Sequence, residues 1–242
     1  MRHLLWCAVA AALVLGLAVT TATAGKELVV KELESTEVTP LEFGTFGAFQ
    51  TCQVGNLNPA AFAINNFVFP PEDYKLTFDP MATCTICPMG LRVLKVHALL
   101  QTAGACTIVL SVDVEEAVYP TPGCPSPGPV WCASPLYQVN ITSAGLWNVG
   151  IPISCECLAM NRKYLLSVHF ESATCTPSLI TDAGPAMLCT NWNNYGTGWY
   201  DLLAAYPTWP GQLNFFADAE CCSPPVPAEG KTWGAVKELY ED

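Results

Sequence analysis

Apolar and polar positions alternate with a period of two along most of the chain, and the clearest block runs over residues 137–171. Tyr137, Val139 and Ile141 alternate with Gln138, Asn140 and Thr142, and after a turn through Ser143-Ala144-Gly145, Trp147, Val149, Ile151 and Ile153 alternate with Asn148, Gly150 and Pro152. Tyr164, Leu166, Val168 and Phe170 then alternate with Leu165, Ser167, His169 and Glu171. That period buries one face of a strand and wets the other. The block therefore predicts three consecutive strands, half of an antiparallel β-sandwich, with Trp147 on the buried side.

The same reading extends in both directions. Residues 25–59 form an N-terminal lead-in with one edge strand over 27–33. Tyr74, Leu76 and Phe78 alternate with Lys75, Thr77 and Asp79 after the breaker Pro70-Pro71, and residues 91–100 and 108–114 are further strands. In the second of these Ile108, Leu110, Val112 and Val114 face a core, so Ser111, Asp113 and Glu115 are expected in water. Residues 119–135 hold six prolines and two glycines, which rules out a central strand and predicts a long surface loop. A last strand covers 213–217, a proline-rich linker 223–230, and a short amphipathic helix 231–242 with Trp233, Val236, Leu239 and Tyr240 on one side. The expected fold is all-β: a disulfide-rich antiparallel β-sandwich of jelly-roll type over 60–222, with long loops and a short C-terminal helix.

Composition adds the compartment. Arg2 and His3 precede an apolar run that gives way to Ala22-Thr23-Ala24, the pattern of a signal peptide spanning 1–24. Its removal takes away Arg2 and Cys7, leaving 12 cysteines and a net charge near −12. Such a field repels nucleic acid and anionic lipid. No transmembrane segment is expected in the mature chain, which reads as secreted, periplasmic or held at the cell surface.

The remaining cysteines are Cys52, Cys84, Cys87, Cys106, Cys124, Cys132, Cys155, Cys157, Cys175, Cys189, Cys221 and Cys222. An even set in an exported chain reads as a disulfide framework, with Cys124 and Cys132 stapling the proline-rich loop. Cys84/Cys87 with Cys155/Cys157 has the spacing of a zinc site, but eight further cysteines need an explanation that one zinc does not supply, so no metal is expected. Catalytic groups are sparse. His97 and His169 each lie in a strand with no nucleophile placed beside them, and His169 reads as a solvated strand histidine. Asp182 and Asp201 could pair as acid and base only by accident among 21 acidic residues. The expectation is a non-enzyme without a cofactor.

One site candidate stands out: Trp192, Tyr195, Trp199, Tyr200, Tyr206 and Trp209, interleaved with Asn191, Asn193, Asn194 and Asp201. Wet aromatic faces stack on sugar rings while amides and carboxylates bond hydroxyls. The same oxygens could hold a structural Ca²⁺, and the same rings could pack as a second small core under long loops. Exposure of Trp192, Trp199 and Trp209 discriminates these readings.

The segments Phe69-Pro70-Pro71-Glu72-Asp73-Tyr74, Phe78-Asp79-Pro80, Cys84/Cys87, Gly198-Trp199-Tyr200-Asp201, Pro210-Gly211 and Ala219-Glu220-Cys221-Cys222 together resemble a family of secreted bacterial cysteine-rich β-sandwich domains with no known activity, over residues 60–222. The tail Thr232-Trp233-Gly234-Ala235-Val236-Lys237-Glu238-Leu239-Tyr240 is similar to a short C-terminal motif ending many exported proteins of such bacteria. The resemblance implies export, the sandwich, and a sorting or anchoring partner for the tail. Two functions follow as expectations: a non-catalytic structural or interaction module with a surface-protein partner, or a carbohydrate-binding sandwich acting on glycan through the aromatic cluster at 192–209.

Overall fold

The computed structural model describes residues 26–42, 51–196 and 198–222. The signal peptide expected at 1–24, the linker at 223–230 and the tail helix at 231–242 lie outside these residues. The first strands are β1 (Val29–Glu32), β2 (Val38–Glu42), β3 (Thr51–Gly55), β4 (Ala60–Asn65) and β5 (Glu72–Phe78), followed by the turn of helix α1 (Pro80–Thr83). Next come β6 (Leu91–Thr102), β7 (Cys106–Glu116), β8 (Val118–Thr121), β9 (Cys124–Ser126), β10 (Val130–Ala133), β11 (Tyr137–Ile141) and β12 (Gly145–Pro152). The chain continues through β13 (Tyr164–Ala173), β14 (Ser178–Asp182), β15 (Asn191–Asn194), β16 (Trp199–Asp201), α2 (Leu202–Ala205) and β17 (Phe215–Cys221).

These strands build the expected antiparallel β-sandwich. One sheet runs β1-β4-β14-β6-β12-β2, with β17 on β6 and β3 on β17; the other runs β10-β7-β13-β5-β15-β16, with β11 on β7. The inward residues of β5, β7, β12 and β13 fill the space between the sheets, and Trp147 is 8% exposed among them. Among the named strand pairs, β2 on β12 is the parallel one.

Three expectations about pairing change. Residues 137–171 do form three strands, but they do not pair with one another: β11 and β13 both pair with β7, while β12 lies in the opposite sheet on β6. The loop at 119–135 carries the β8/β9 ribbon and β10, which pairs with β7 where proline-rich chain can reach only part of its length. The lead-in at 25–59 is not an appendage. It supplies β1 at one edge of the eight-stranded sheet, β2 at the far edge and β3 beside β17, and between β1 and β2 Leu33 packs across the outer face on Ala63, Leu99, Leu146 and Ile180.

All 12 cysteines from Cys52 onward are bonded, as Cys52–Cys84, Cys87–Cys221, Cys106–Cys175, Cys124–Cys189, Cys132–Cys155 and Cys157–Cys222. The proline-rich loop is stapled at Cys124 and Cys132, each to a distant strand connection. Cys52, Cys84 and Cys87 place their sulfurs close together, but disulfide sulfur has no thiolate to offer a metal.

The largest correction concerns the face of β5, β7 and β13 expected in water. Lys75, Asp113, Glu115 and Ser167 are all buried there. Trp192 and Trp199 swing over this face with Leu165 and Ala117, and the Trp199 ring lies 3.9 Å from the Lys75 ammonium. The buried charges are paired, as low dielectric requires: Lys75 binds Glu115, and His169 is held between Asp73 and Asp113. His169 does face outward, yet it is a clamped ion rather than a solvated side chain. Burial works against its charge, but hydrogen bonds to Asp113 and Asp73 and their negative charge raise its pKa to about 9. Burial also opposes ionisation of Asp113, but the bond from His169 and its charge hold that carboxyl below its ordinary range, whereas burial pushes Glu115 up.

Two measurements test this architecture. Trp147→Ala is expected to cost about 3–5 kcal/mol of unfolding free energy, since it empties part of the inter-sheet core; an unchanged denaturation midpoint would place Trp147 on the wrong face. The His169 pKa is higher in the folded state than the ordinary value near 6.5, so its stabilisation is complete below about pH 6.5 and is lost as pH rises through about 9. Urea unfolding at pH 6 and pH 9.5 should differ by on the order of 2 kcal/mol more in the wild type than in His169→Gln. Equal pH dependence in the two proteins would remove His169 as its source.

Candidate functional site

The aromatic cluster at 192–209 does not form a wet platform. Trp192 is 7% exposed and Trp209 3%, because Trp192 joins Leu165 and Ala117 over one sheet while Trp209 packs on Phe67 at the end of the sandwich. Trp199 is half-buried above Lys75. Tyr195 and Tyr200 stack on each other with centroids 5.0 Å apart, and Tyr206 meets Phe67 edge-on. The amides serve the backbone: Asn193 donates to the Asp73 carbonyl, and Asn191 bonds Gln212 and accepts from the Leu213 amide. Asp201 caps α2 by accepting from the Ala204 amide at 2.8 Å, and its other oxygen takes the Cys189 amide. Asp182 is fully buried and accepts from Asn58, Gly184 and Gln212. Asp182 and Asp201 thus both act as acceptors that hold the fold. The rings divide between two clusters: Trp192 and Trp199 pack with Ala117 and Leu165, whereas Trp209 and Tyr206 join the main core.

The best-formed concavity lies on the opposite side, on the outer face of the eight-stranded sheet. Period-two geometry sends His97 and Leu99 of β6, Asn148 of β12, Phe216 and Asp218 of β17 and Gln53 of β3 to that face. With Asn214, Asn56 and Asn58 they line a cavity of about 540 Å³ whose rim includes Thr36 and Val38 of the crossing N-terminal segment. The size suits a small polar ligand.

Its side chains are fixed by one another. His97 Nε2 lies 2.9 Å from Asp218 Oδ2 and Nδ1 lies 3.0 Å from Asn148 Oδ1, while Gln53 donates to Asp218 Oδ1 at 2.9 Å. The His97 bond holds the Asp218 carboxyl below its ordinary range against the effect of partial burial. Phe216 stacks on the imidazole at 4.5 Å with a 3° interplanar angle. The imidazole in turn lies against Gly150, where an added Cβ would come within 2.9 Å of the ring, so the glycine in β12 makes the room for it. Asn214 donates to the Asn58 carbonyl and leaves its buried Oδ1 without a protein donor. The result is a half-buried aromatic ring bordered by amide and carboxylate groups whose orientations are set by the buried His97 beneath it. It offers hydrogen bonds and a stacking surface.

Sequence reasoning missed this cavity. His97 reads as a strand histidine and Phe216 as part of the final strand over 213–217, with Asp218 just beyond it, but only the pairing of β17 with both β6 and β3 brings these residues to one place. Among the described residues no helix is long and apolar enough to cross a membrane.

Comparison with known proteins gives a family and a weak structural likeness. Part of the crystal structure of the cysteine protease and lectin-like domains of Cwp84, a surface layer associated protein of Clostridium difficile, superposes with a TM-score of 0.42 at 13% identity, covering 66% of this chain and 33% of that one. A second structure of the clostridial cysteine protease Cwp84, after propeptide cleavage, gives 0.43 at 13%, covering 64% and 37%. The chain thus spans about a third of those proteins. No curated protein matches. The family model of DUF7451, a domain of unknown function, matches residues 47–219, which takes in the core of both sheets and every strand lining the cavity except β2, and the chain belongs to that family.

Proposed function

We propose that this protein is a non-catalytic binding module, working outside the cell or at its surface, that takes carbohydrate in the cavity over β3, β6, β12 and β17. The observation that carries the reading is the pairing of the half-buried Phe216 ring with a fixed border of Asn148, Gln53, Asp218 and His97. Sugars present apolar C–H faces and hydroxyls that both donate and accept, and an aromatic ring beside oriented amides and a carboxylate meets both demands. Preorganisation strengthens the case, because side chains already held in place lose little entropy on binding. Six disulfides agree with an oxidising, extracellular setting.

A glycan-array screen of residues 25–242 followed by calorimetry on the best hit tests this. Phe216→Ala and Asp218→Asn are each expected to raise Kd about tenfold or more, equivalent to about 1.4 kcal/mol, while Tyr200→Ala leaves it unchanged. Absence of any glycan hit, or a hit whose affinity depends on Tyr200 and not on Phe216, would refute the assignment.

A further inference from the structure

Lys26 carries the second inference. Its ammonium is paired with Glu72, donates to the Phe67 carbonyl at 2.9 Å and to the Tyr74 hydroxyl at 3.2 Å, and lies 4.8, 5.4, 5.7 and 5.2 Å from the ring centroids of Phe67, Phe69, Tyr74 and Tyr195. The lysine side chain is 12% exposed and that of Glu72 3%. Glu72 is oriented independently of the lysine: its Oε2 accepts from the Tyr74 hydroxyl at 2.6 Å and from the Phe69 amide at 3.0 Å, leaving Oε1 aimed at the ammonium. A carboxylate fixed by neutral donors, with the rings of Phe67, Phe69 and Tyr195 around the cation and the Tyr74 hydroxyl at its edge, is the arrangement that recognises an organic cation.

The cage belongs to the sandwich, since its walls come from β5, the connection between β4 and β5, and the turn between β15 and β16. Its occupant comes from a different kind of segment. Lys26 precedes β1, whose four residues are all exposed, and β1 adds only an edge to the sheet. Phe69 is 49% exposed, so one wall of the cage opens to solvent.

We propose that Glu72 with Phe67, Phe69, Tyr74 and Tyr195 forms a binding site for a primary alkylammonium group, filled here by the chain's own Lys26 and able to accept a lysine side chain supplied in trans. Emptying the site leaves a buried carboxylate without a counter-charge, which destabilises the fold until a cation returns. Two roles follow for the first strand's attachment: Lys26 latches the N-terminal segment, and a competing lysine releases that latch without opening the core.

The test is chemical rescue of the full chain after residue 24. Lys26→Met, which keeps an unbranched apolar stem in the cage, is expected to melt several degrees below the wild type. Millimolar n-butylammonium chloride should restore most of that loss, while n-butanol and sodium chloride at equal concentration should not. The double variant Lys26→Met/Glu72→Gln should show no rescue. The acetylated, amidated pentapeptide Lys-Glu-Leu-Val-Val of residues 26–30 tests the occupant: binding to Lys26→Met supports a site that takes a lysine side chain in trans, binding to the wild type as well supports release of the latch, binding to Lys26→Met alone overturns that release, and binding to neither overturns the trans site. If Lys26→Met melts like the wild type, or if n-butylammonium gives no more than the sodium chloride effect, the proposal is overturned. Should Lys26→Met fold too poorly to melt cooperatively, the yield of soluble folded protein on refolding is measured instead: a higher yield with n-butylammonium than with sodium chloride supports the site, and equal yields overturn it.

Discussion

Three disulfides meet where β17 ends. Cys221 is tied to Cys87 and Cys222 to Cys157, while Cys52–Cys84 pins β3 beside them, with Cys84 and Cys87 sulfurs 3.3 Å apart. Closing loops of 134, 65 and 32 residues removes much of the denatured chain's freedom, on the order of 4–5 kcal/mol for each bridge taken singly in the chain-entropy account. The functional weight of the cluster is positional. β17 is the strand that carries Phe216 and Asp218 and touches both β6 and β3, so locking its end fixes the phase in which those residues meet His97 and Gln53. A slip of one residue would send Phe216 inward and Ala217 to the cavity.

The two outer faces of the sandwich have been finished differently. Over β5, β7 and β13 Lys75 and Glu115 lie buried and paired beneath Trp192 and Trp199, and the Asp73–His169–Asp113 chain runs beside them with Asp73 and His169 partly exposed. Over β6, β12 and β17 the buried His97 holds Asp218 and Asn148, which with Gln53 reach solvent. Sealed networks specify a structure, and open ones of fixed geometry are ready to trade a neighbour for a ligand. That contrast directs attention to the eight-stranded sheet.

Much of the fold was legible in the sequence because period-two alternation is a local signal. The inward residues of β5, β7, β12 and β13 could be named from it, and the even cysteine count pointed to the disulfide framework. What resists such reading is anything set by register. Asp73, Asp113 and His169 look like ordinary wet positions until β13 is laid between β5 and β7. The aromatic-rich stretch at 192–209 advertised a platform by composition alone, yet composition does not say which rings pack and which face water. Lys26 carried no motif at all: its partners stand 41 or more residues away.

The N-terminal segment also bears on how molecules of this protein behave toward each other. Unpaired sheet edges invite another chain to add a strand, and in the eight-stranded sheet, where β3 on β17 forms a third outer position, two of the outer positions are taken by strands from one short stretch, β1 on β4 and β2 on β12. Each is a poor template for further growth: β1 is four residues long and bears Lys31 and Glu32, and β2 contains Pro40, which lacks an amide proton. A single run of chain thereby covers both β4 and β12 against its neighbours. Loss of that run, by proteolysis or truncation, would bare β4 and β12 together, and the two strands it guards would become a two-sided seed for aggregation.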